Sequence, residues 1–201
     1  MRIGLFGGSF DPIHVGHVAP VREVLSGLDL DRVIYLPTAR PPHKPDGAAA
    51  PAWARYAMVE LALLHENGLV VSPFEMSAEI AYTVDTVEHF RRLGPADDLV
   101  LIVGGDSLAA IASWRRWRRI VETVELAALV RPGWEPETLL DELPDELRAA
   151  HAARRLHFVA NAPVSVSSTE LRRRLAAGEA VPPEILPPLV LDYVRKYGLY
   201  R

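Results

Sequence analysis

The chain has 201 residues, 49% of them hydrophobic and 24% charged, with no cysteine and a formal net charge of −4. That length and balance support one domain with its own core and exclude dominant disorder; the missing cysteine excludes disulfides, thiolate metal sites and cysteine nucleophiles. The acidic balance argues against wholesale coating of nucleic acid, and no stretch is apolar for long enough to act as a secretory h-region or to span a bilayer, so a cytoplasmic protein without a membrane partner is expected.

Strand and helix signals alternate along the chain. Residues 2–6 form a short apolar run stopped by Gly7-Gly8, which predicts a first strand. Residues 17–25 space Val18, Val21, Val24 and Leu25 at helical intervals, with Gly27 placed as a C-cap. A second strand is predicted over 32–36, closed by Pro37, and a long proline-rich loop over 38–51. A helix follows over 53–65, a short strand over 69–72, and a helix over 83–93 opened by a threonine or by Asp85, with Gly94 after it. Residues 99–103 make the clearest buried strand and run directly into Gly104-Gly105. Another strand spans 125–130, a helix with a break near Pro144 spans 138–153, and a last strand spans 156–159; helices over 169–177 and 188–197 complete the chain. Apolar strands alternating with helices predict an α/β fold: a doubly wound, Rossmann-like parallel sheet with helices on both faces. The expected organisation is a single domain over 1–201, whose C-terminal helical portion, about residues 165–201, packs on it and completes the site. In such sheets ligands gather at the carboxyl ends of the strands, near the switch in strand order.

Between the first strand and first helix lies Gly7-Gly8-Ser9-Phe10-Asp11-Pro12-Ile13-His14-Val15-Gly16-His17. It follows neither the G-x-G-x-x-G spacing of a dinucleotide fingerprint nor the G-x-x-x-x-G-K-[ST] of a P-loop. Gly7 and Gly8 let backbone N–H groups approach a ligand closely. His14 and His17 stand three apart at a helix start, where unpaired N–H groups and the helix dipole favour anions, and Gly16 keeps the surface between them free of bulk. Two imidazoles there suit a phosphate clamp whose donors titrate near neutrality. A glycine-rich turn with two capping histidines fits the same residues, and a zinc pair lacks a third ligand nearby in sequence. Near the other end, Ser167, Ser168 and Thr169 precede an apolar-periodic stretch as a helix N-cap, with Arg172 one turn inside; hydroxyls and a guanidinium at a helix N-terminus again suit phosphate.

The opening G-G-S-F-D-P-I-H-V-G-H resembles the signature of the HxGH nucleotidyltransferase superfamily, with Val15 where Asn is frequent. Val166-Ser167-Ser168-Thr169-Glu170-Leu171-Arg172 is similar to its second signature, I-S-S-T-x-[IL]-R. The resemblance implies that His14, His17 and Arg172 are catalytic, stabilising charge on the triphosphate. It implies that Gly7, Gly8, Ser9, Phe10, Gly16, Ser167, Ser168 and Thr169 bind ATP. Gly104-Gly105-Asp106 resembles the family's G-x-D, which adds Gly104 and, on the ATP ribose, Asp106. Three further stretches resemble the bacterial nicotinate mononucleotide adenylyltransferases, 81–86, 113–119 and 131–133, while 41–44 closes the long loop with a lysine that can reach an acceptor phosphate as a point charge. From these, Lys44, Tyr82, Thr83, Thr86, Trp114, Trp117 and Arg131 are expected to bind the acceptor. Either tryptophan suits stacking on the pyridine ring, and Ala78–Ala81 departs from the family's glycines and serine. An arginine at 131 favours a nicotinate carboxylate over a neutral amide. The similarity runs in order from residue 4 to residue 199.

The resemblance implies adenylyl transfer from ATP to nicotinate mononucleotide in NAD biosynthesis, with pyrophosphate released. It also implies Mg²⁺ carried on the ATP phosphates rather than in a protein cage, no nucleic-acid partner, and an oligomeric state left open, homo-oligomers included. The basic-aromatic run Ser113–Arg119 would also suit nucleic acid, but it is short in an acidic chain. Nicotinamide mononucleotide or phosphopantetheine as acceptor, and a nucleotide-binding regulatory module without turnover, are the alternatives.

Overall fold

The computed structural model describes residues 1–40, 47–77, 81–130, 136–160 and 166–201. In chain order its regular elements are β1 (Arg2–Gly8), α1 (Val15–Gly27), β2 (Arg32–Pro37), α2 (Ala52–Leu63), β3 (Leu69–Val71), α3 (Thr83–Leu93), β4 (Asp98–Gly104) and α4 (Gly105–Ala109). They continue with α5 (Trp117–Thr123), β5 (Glu125–Val130), α6 (Pro136–Glu142), α7 (Asp145–Ala152), β6 (Leu156–Ala160), α8 (Ser168–Ala176) and α9 (Pro188–Tyr197). The strands form one six-stranded sheet in the order β3-β2-β1-β4-β5-β6, the strand order of a doubly wound nucleotide-binding sheet. Pairing is parallel, with Leu5 opposite Leu101, Val103 opposite Ala128, and Ala128 opposite Phe158.

The reason for this sheet is visible in β4. Leu99, Val100, Leu101, Ile102 and Val103 are each no more than 5% exposed. Such a run, without polar alternation, is stable only where both faces of a strand are covered. Pro144 divides α6 from α7, because a proline inside a helix removes a donor and clashes with the preceding turn. Gly198 ends α9 at φ 62, the left-handed geometry glycine adopts without strain, and its N–H returns to the carbonyls of Arg195 and Val194. Three features differ from the sequence pattern. Gly27 is the last residue of α1 rather than a cap beyond it. The short α4 and α5, and the 3₁₀ turns at Phe74–Met76 and Ile111–Ser113, occupy stretches with too few residues to display a period.

The chain divides into two compact units. The first comprises Met1–Gly7, Pro20–Ile34 and Tyr82–Pro163. Within it the Arg91 guanidinium ties α3 to the end of α5 through the Thr123 carbonyl at 2.9 Å. The second comprises Gly8–Ala19, Tyr35–Ala81 and Val164–Arg201. Here α2 packs on α9, and the Val15 amide donates to the Ile185 carbonyl at 3.0 Å.

Candidate active site

Gly8 closes β1 where any side chain would collide: a Cβ there would lie 2.9 Å from the Phe10 ring. Phe10 itself takes φ 45 and is 1% exposed. Its ring meets His17 edge-on, with centroids 5.3 Å apart, and leans on Tyr35 at 5.7 Å. The buried Tyr35 hydroxyl donates to the His17 carbonyl at 2.8 Å, so His17 is braced on ring and backbone.

The two imidazoles lie 3.9 Å apart between centroids. The Gly16 amide donates to Nδ1 of His14 at 3.1 Å, and the His14 amide donates to Nδ1 of His17 at 3.2 Å. Each Nδ1 is therefore an acceptor. A neutral ring in that state carries its proton on Nε2, so both histidines present an Nε2–H donor. His14 is 5% exposed, and burial pushes its pKa down to about 4. Titration near neutrality, expected from the sequence, is thus corrected for His14: removal from water disfavours the imidazolium, and the ring is a neutral donor at pH 7.

The start of α8 is bonded to the segment that carries His14. Ser167 caps the helix, its hydroxyl accepting from the Glu170 amide at 3.2 Å. The Ser168 hydroxyl donates to the Pro12 carbonyl at 3.0 Å. Arg172 Nη1 donates to the Asp11 carbonyl at 2.7 Å, and its Nη2 donates to the Thr169 hydroxyl at 3.2 Å. His14, His17, Ser168, Thr169 and Arg172 are in this way gathered by residues from the two ends of the chain, and the N-termini of α1 and α8 belong to the same unit.

Four residues of this cluster were not singled out by sequence reasoning: Asp11, Tyr35, Arg55 and Tyr200. Arg55 is 1% exposed and gives its N–H groups to the carbonyls of Ser9, Thr38, Ala39 and Ala50 at 2.6 to 3.2 Å. Burial lowers its pKa, and the Asp11 charge opposes that shift. A signal did exist: Arg55 stands one turn before Met58 and Val59 on the buried face of α2.

The second group of predicted residues lies in the first unit. Gly104 has room where a Cβ would go, and Asp106 is exposed in the first turn of α4. Tyr82 precedes α3 and stacks under the Arg115 guanidinium at 4.7 Å, while Arg115 also lies 4.0 Å from Asp85. Those contacts join the Tyr82–Thr86 stretch to the tryptophan stretch. Thr83 is half-buried, and Thr86 is 2% exposed inside α3. Trp117 is packed in the core at 8% exposure beneath Arg118, whereas Trp114 keeps part of its surface open. The arginines of this run are paired with acids: Arg116 and Arg119 with Glu88, Arg118 with Glu146. Lys44 and Arg131 lie outside the described residues. Among the described residues no three His, Asp or Glu side chains are grouped to hold a metal ion, and no helix is long and apolar enough to cross a membrane.

Residues 5–174 match the profile of the cytidylyltransferase-like family. The chain belongs to that family. A protein of Chromobacterium violaceum named probable nicotinate-nucleotide adenylyltransferase is 40% identical, covering all of this chain and 99% of the relative. The Thermus thermophilus protein of the same name is 42% identical over all of both chains. At that similarity the chain is a nucleotidyltransferase enzyme of the nicotinate-nucleotide adenylyltransferase group. Among solved structures, the Plasmodium falciparum nicotinic acid mononucleotide adenylyltransferase complexed with NaAD superposes with a TM-score of 0.78 at 21% identity, covering 99% of this chain and 97% of that one. This likeness supports the fold.

Proposed function

We propose that the enzyme transfers the adenylyl group of ATP to nicotinate mononucleotide, forming nicotinate adenine dinucleotide and pyrophosphate for NAD synthesis. A 5′-phosphate oxygen of the acceptor attacks the α-phosphorus in line; the new P–O bond forms as the bond to the bridging β-oxygen breaks. The acceptor phosphate is already anionic at pH 7, so no protein base is required. Catalysis then consists of alignment and of stabilising charge on the departing pyrophosphate.

His14 and His17 suit that task as Nε2–H donors, and Arg172 supplies full positive charge from the first turn of α8. The backbone of Gly7 to Phe10 and the hydroxyls of Ser167 and Thr169, which accept within the protein and keep their O–H to donate, suit the ATP phosphates, and Asp106 the ribose diol. The Ser168 hydroxyl spends its O–H on the Pro12 carbonyl, so its share is to orient that terminus. Trp114, not Trp117, is the residue to stack on the pyridine ring, because only Trp114 has an open face. Tyr82, stacked under Arg115, and Thr83 belong to the same acceptor group. Thr86, buried in α3, supports that group from within. Lys44 and Arg131 keep the roles of cations for the acceptor phosphate and the nicotinate carboxylate. Mg²⁺ carried with the ATP phosphates would neutralise leaving-group charge there.

The observation that carries this reading is the bonding of the α8 N-terminus to the Asp11–Pro12 backbone beside His14. The test is pyrophosphate release from ATP with nicotinate mononucleotide, nicotinamide mononucleotide and phosphopantetheine in parallel. Turnover with the first, far above the others, is expected. Preference for either of the others, or release with none, would overturn it.

A further inference from the structure

Asp11 is 1% exposed, and both of its carboxylate oxygens are engaged. Oδ1 accepts from the Tyr200 hydroxyl at 2.7 Å and from the Ala50 amide at 3.1 Å; Oδ2 accepts from the Ala49 amide at 2.7 Å. Arg172 Nη1 lies 3.9 Å from Oδ2 while bonded to the Asp11 carbonyl at 2.7 Å. One residue thus joins the 49–50 segment, the turn after α9 and the guanidinium of α8.

This arrangement has a cost for a site that must grip a polyanion. A fixed carboxylate beside Arg172 repels the same phosphates that Arg172 attracts. A neutral amide would remove that repulsion, but it offers one acceptor oxygen where three donors converge on two. What the carboxylate provides, pinned by Ala49, Ala50 and Tyr200, is a fixed place for the Asp11 backbone, whose carbonyl takes Arg172 Nη1. Among the described residues only two of the five N–H groups of Arg172 are engaged, one on Asp11 and one on Thr169. A guanidinium tied at both Nη atoms in this way has less rotamer entropy to lose on binding.

Building on the adenylyl-transfer reading, we propose that Asp11 is a positioning residue for Arg172, and that Tyr200 acts through Asp11 to set the geometry with which Arg172 meets the pyrophosphate moiety. Burial and the neighbouring carboxylate push the Tyr200 pKa up, so its hydroxyl remains a donor throughout the working pH range.

The test is a double-mutant cycle between Tyr200→Phe and Arg172→Ala, read on kcat with ATP and nicotinate mononucleotide and on the affinity for inorganic pyrophosphate. With Arg172 present, Tyr200→Phe should lower kcat and weaken pyrophosphate binding about tenfold; with Arg172 removed it should change either by less than about twofold. The melting temperature should fall by the same amount in both backgrounds, because the hydroxyl bond is lost in both. If Arg172→Ala does not fold, Arg172→Lys keeps a positive charge near Asp11 but lacks the fork, and the same loss of coupling is expected. An equal factor in both backgrounds would show that Tyr200 merely supports the scaffold and overturn the proposal. So would a drop in melting temperature with kcat and pyrophosphate affinity unchanged, or a wild-type chain that does not bind pyrophosphate. A wild-type chain that binds pyrophosphate yet does not turn over nicotinate mononucleotide refutes the acceptor reading alone, and the cycle on pyrophosphate affinity still decides this one.

Discussion

Acid should weaken this fold in good part through His14, and His14→Gln should remove that part. His14 is 5% exposed, and burial holds its pKa at about 4 against an ordinary value of 6.5. Unfolding exposes the ring, so between those values the unfolded chain binds a proton that the folded chain refuses. The stability associated with a neutral His14 is complete above pH 6.5 and is lost as pH falls toward 4. Over the fall from pH 7 to pH 4.5 the linkage amounts to about 2 kcal/mol, most of the ~3 kcal/mol that the full shift represents. In a chain of this size that is a drop of about 4–8 °C in Tm. Glutamine can still accept from the Gly16 amide but does not titrate. The assay is thermal or urea unfolding of both proteins at the two pH values. His14→Gln should lose about 2 kcal/mol less than wild type across the window. Equal losses in the two proteins would refute the reasoning and mean that His14 is as accessible to protons folded as unfolded.

His17→Ala should lower kcat by roughly 10²–10³ while leaving the fold intact, the usual consequence of removing one donor from a developing oxyanion; steady-state turnover with circular dichroism checks it. The two tryptophans should separate cleanly. Trp117→Ala should cost about 3–5 kcal/mol of stability, as for a large core side chain, whereas Trp114→Ala should raise the acceptor KM by about tenfold through lost stacking, without lowering Tm. A reversed pattern would exchange their assignments.

The parts of the fold that could be read in advance are those where one local rule suffices. The unbroken apolar run of β4 requires a covered parallel strand, and Pro144 requires a break between α6 and α7. α4 and α5 were not readable, because five and seven residues do not display a helical period. The site divides along the same line. His14, His17 and Arg172 stand in short spacings that carry their own meaning. Asp11 and Tyr200 acquire theirs from partners that no local window contains: the Tyr200 hydroxyl reaches a carboxylate 189 residues away. The histidines show the same limit in another form. Spacing put both at a helix start, but a pKa is set by burial, and nothing in H-x-G-H states that His14 is out of water.

Burial also explains why this cluster can exist before a substrate arrives. Two guanidinium groups, Arg55 and Arg172, stand near the Asp11 carboxylate, and His14 is neutral. Had His14 been an imidazolium, a further positive charge would sit in a largely desolvated setting, where such groups are expensive. Neutral Nε2–H donors avoid that. They give little long-range attraction to an anion, yet they make full hydrogen bonds once an oxygen stands within reach. On the adenylyl-transfer reading this division is apt: Arg172 draws the triphosphate in, and the histidines act on the oxygens whose charge grows as pyrophosphate departs. Binding strength spent in that way favours the transition state over the bound substrate, which is why loss of His17 is expected in kcat rather than in the KM for ATP.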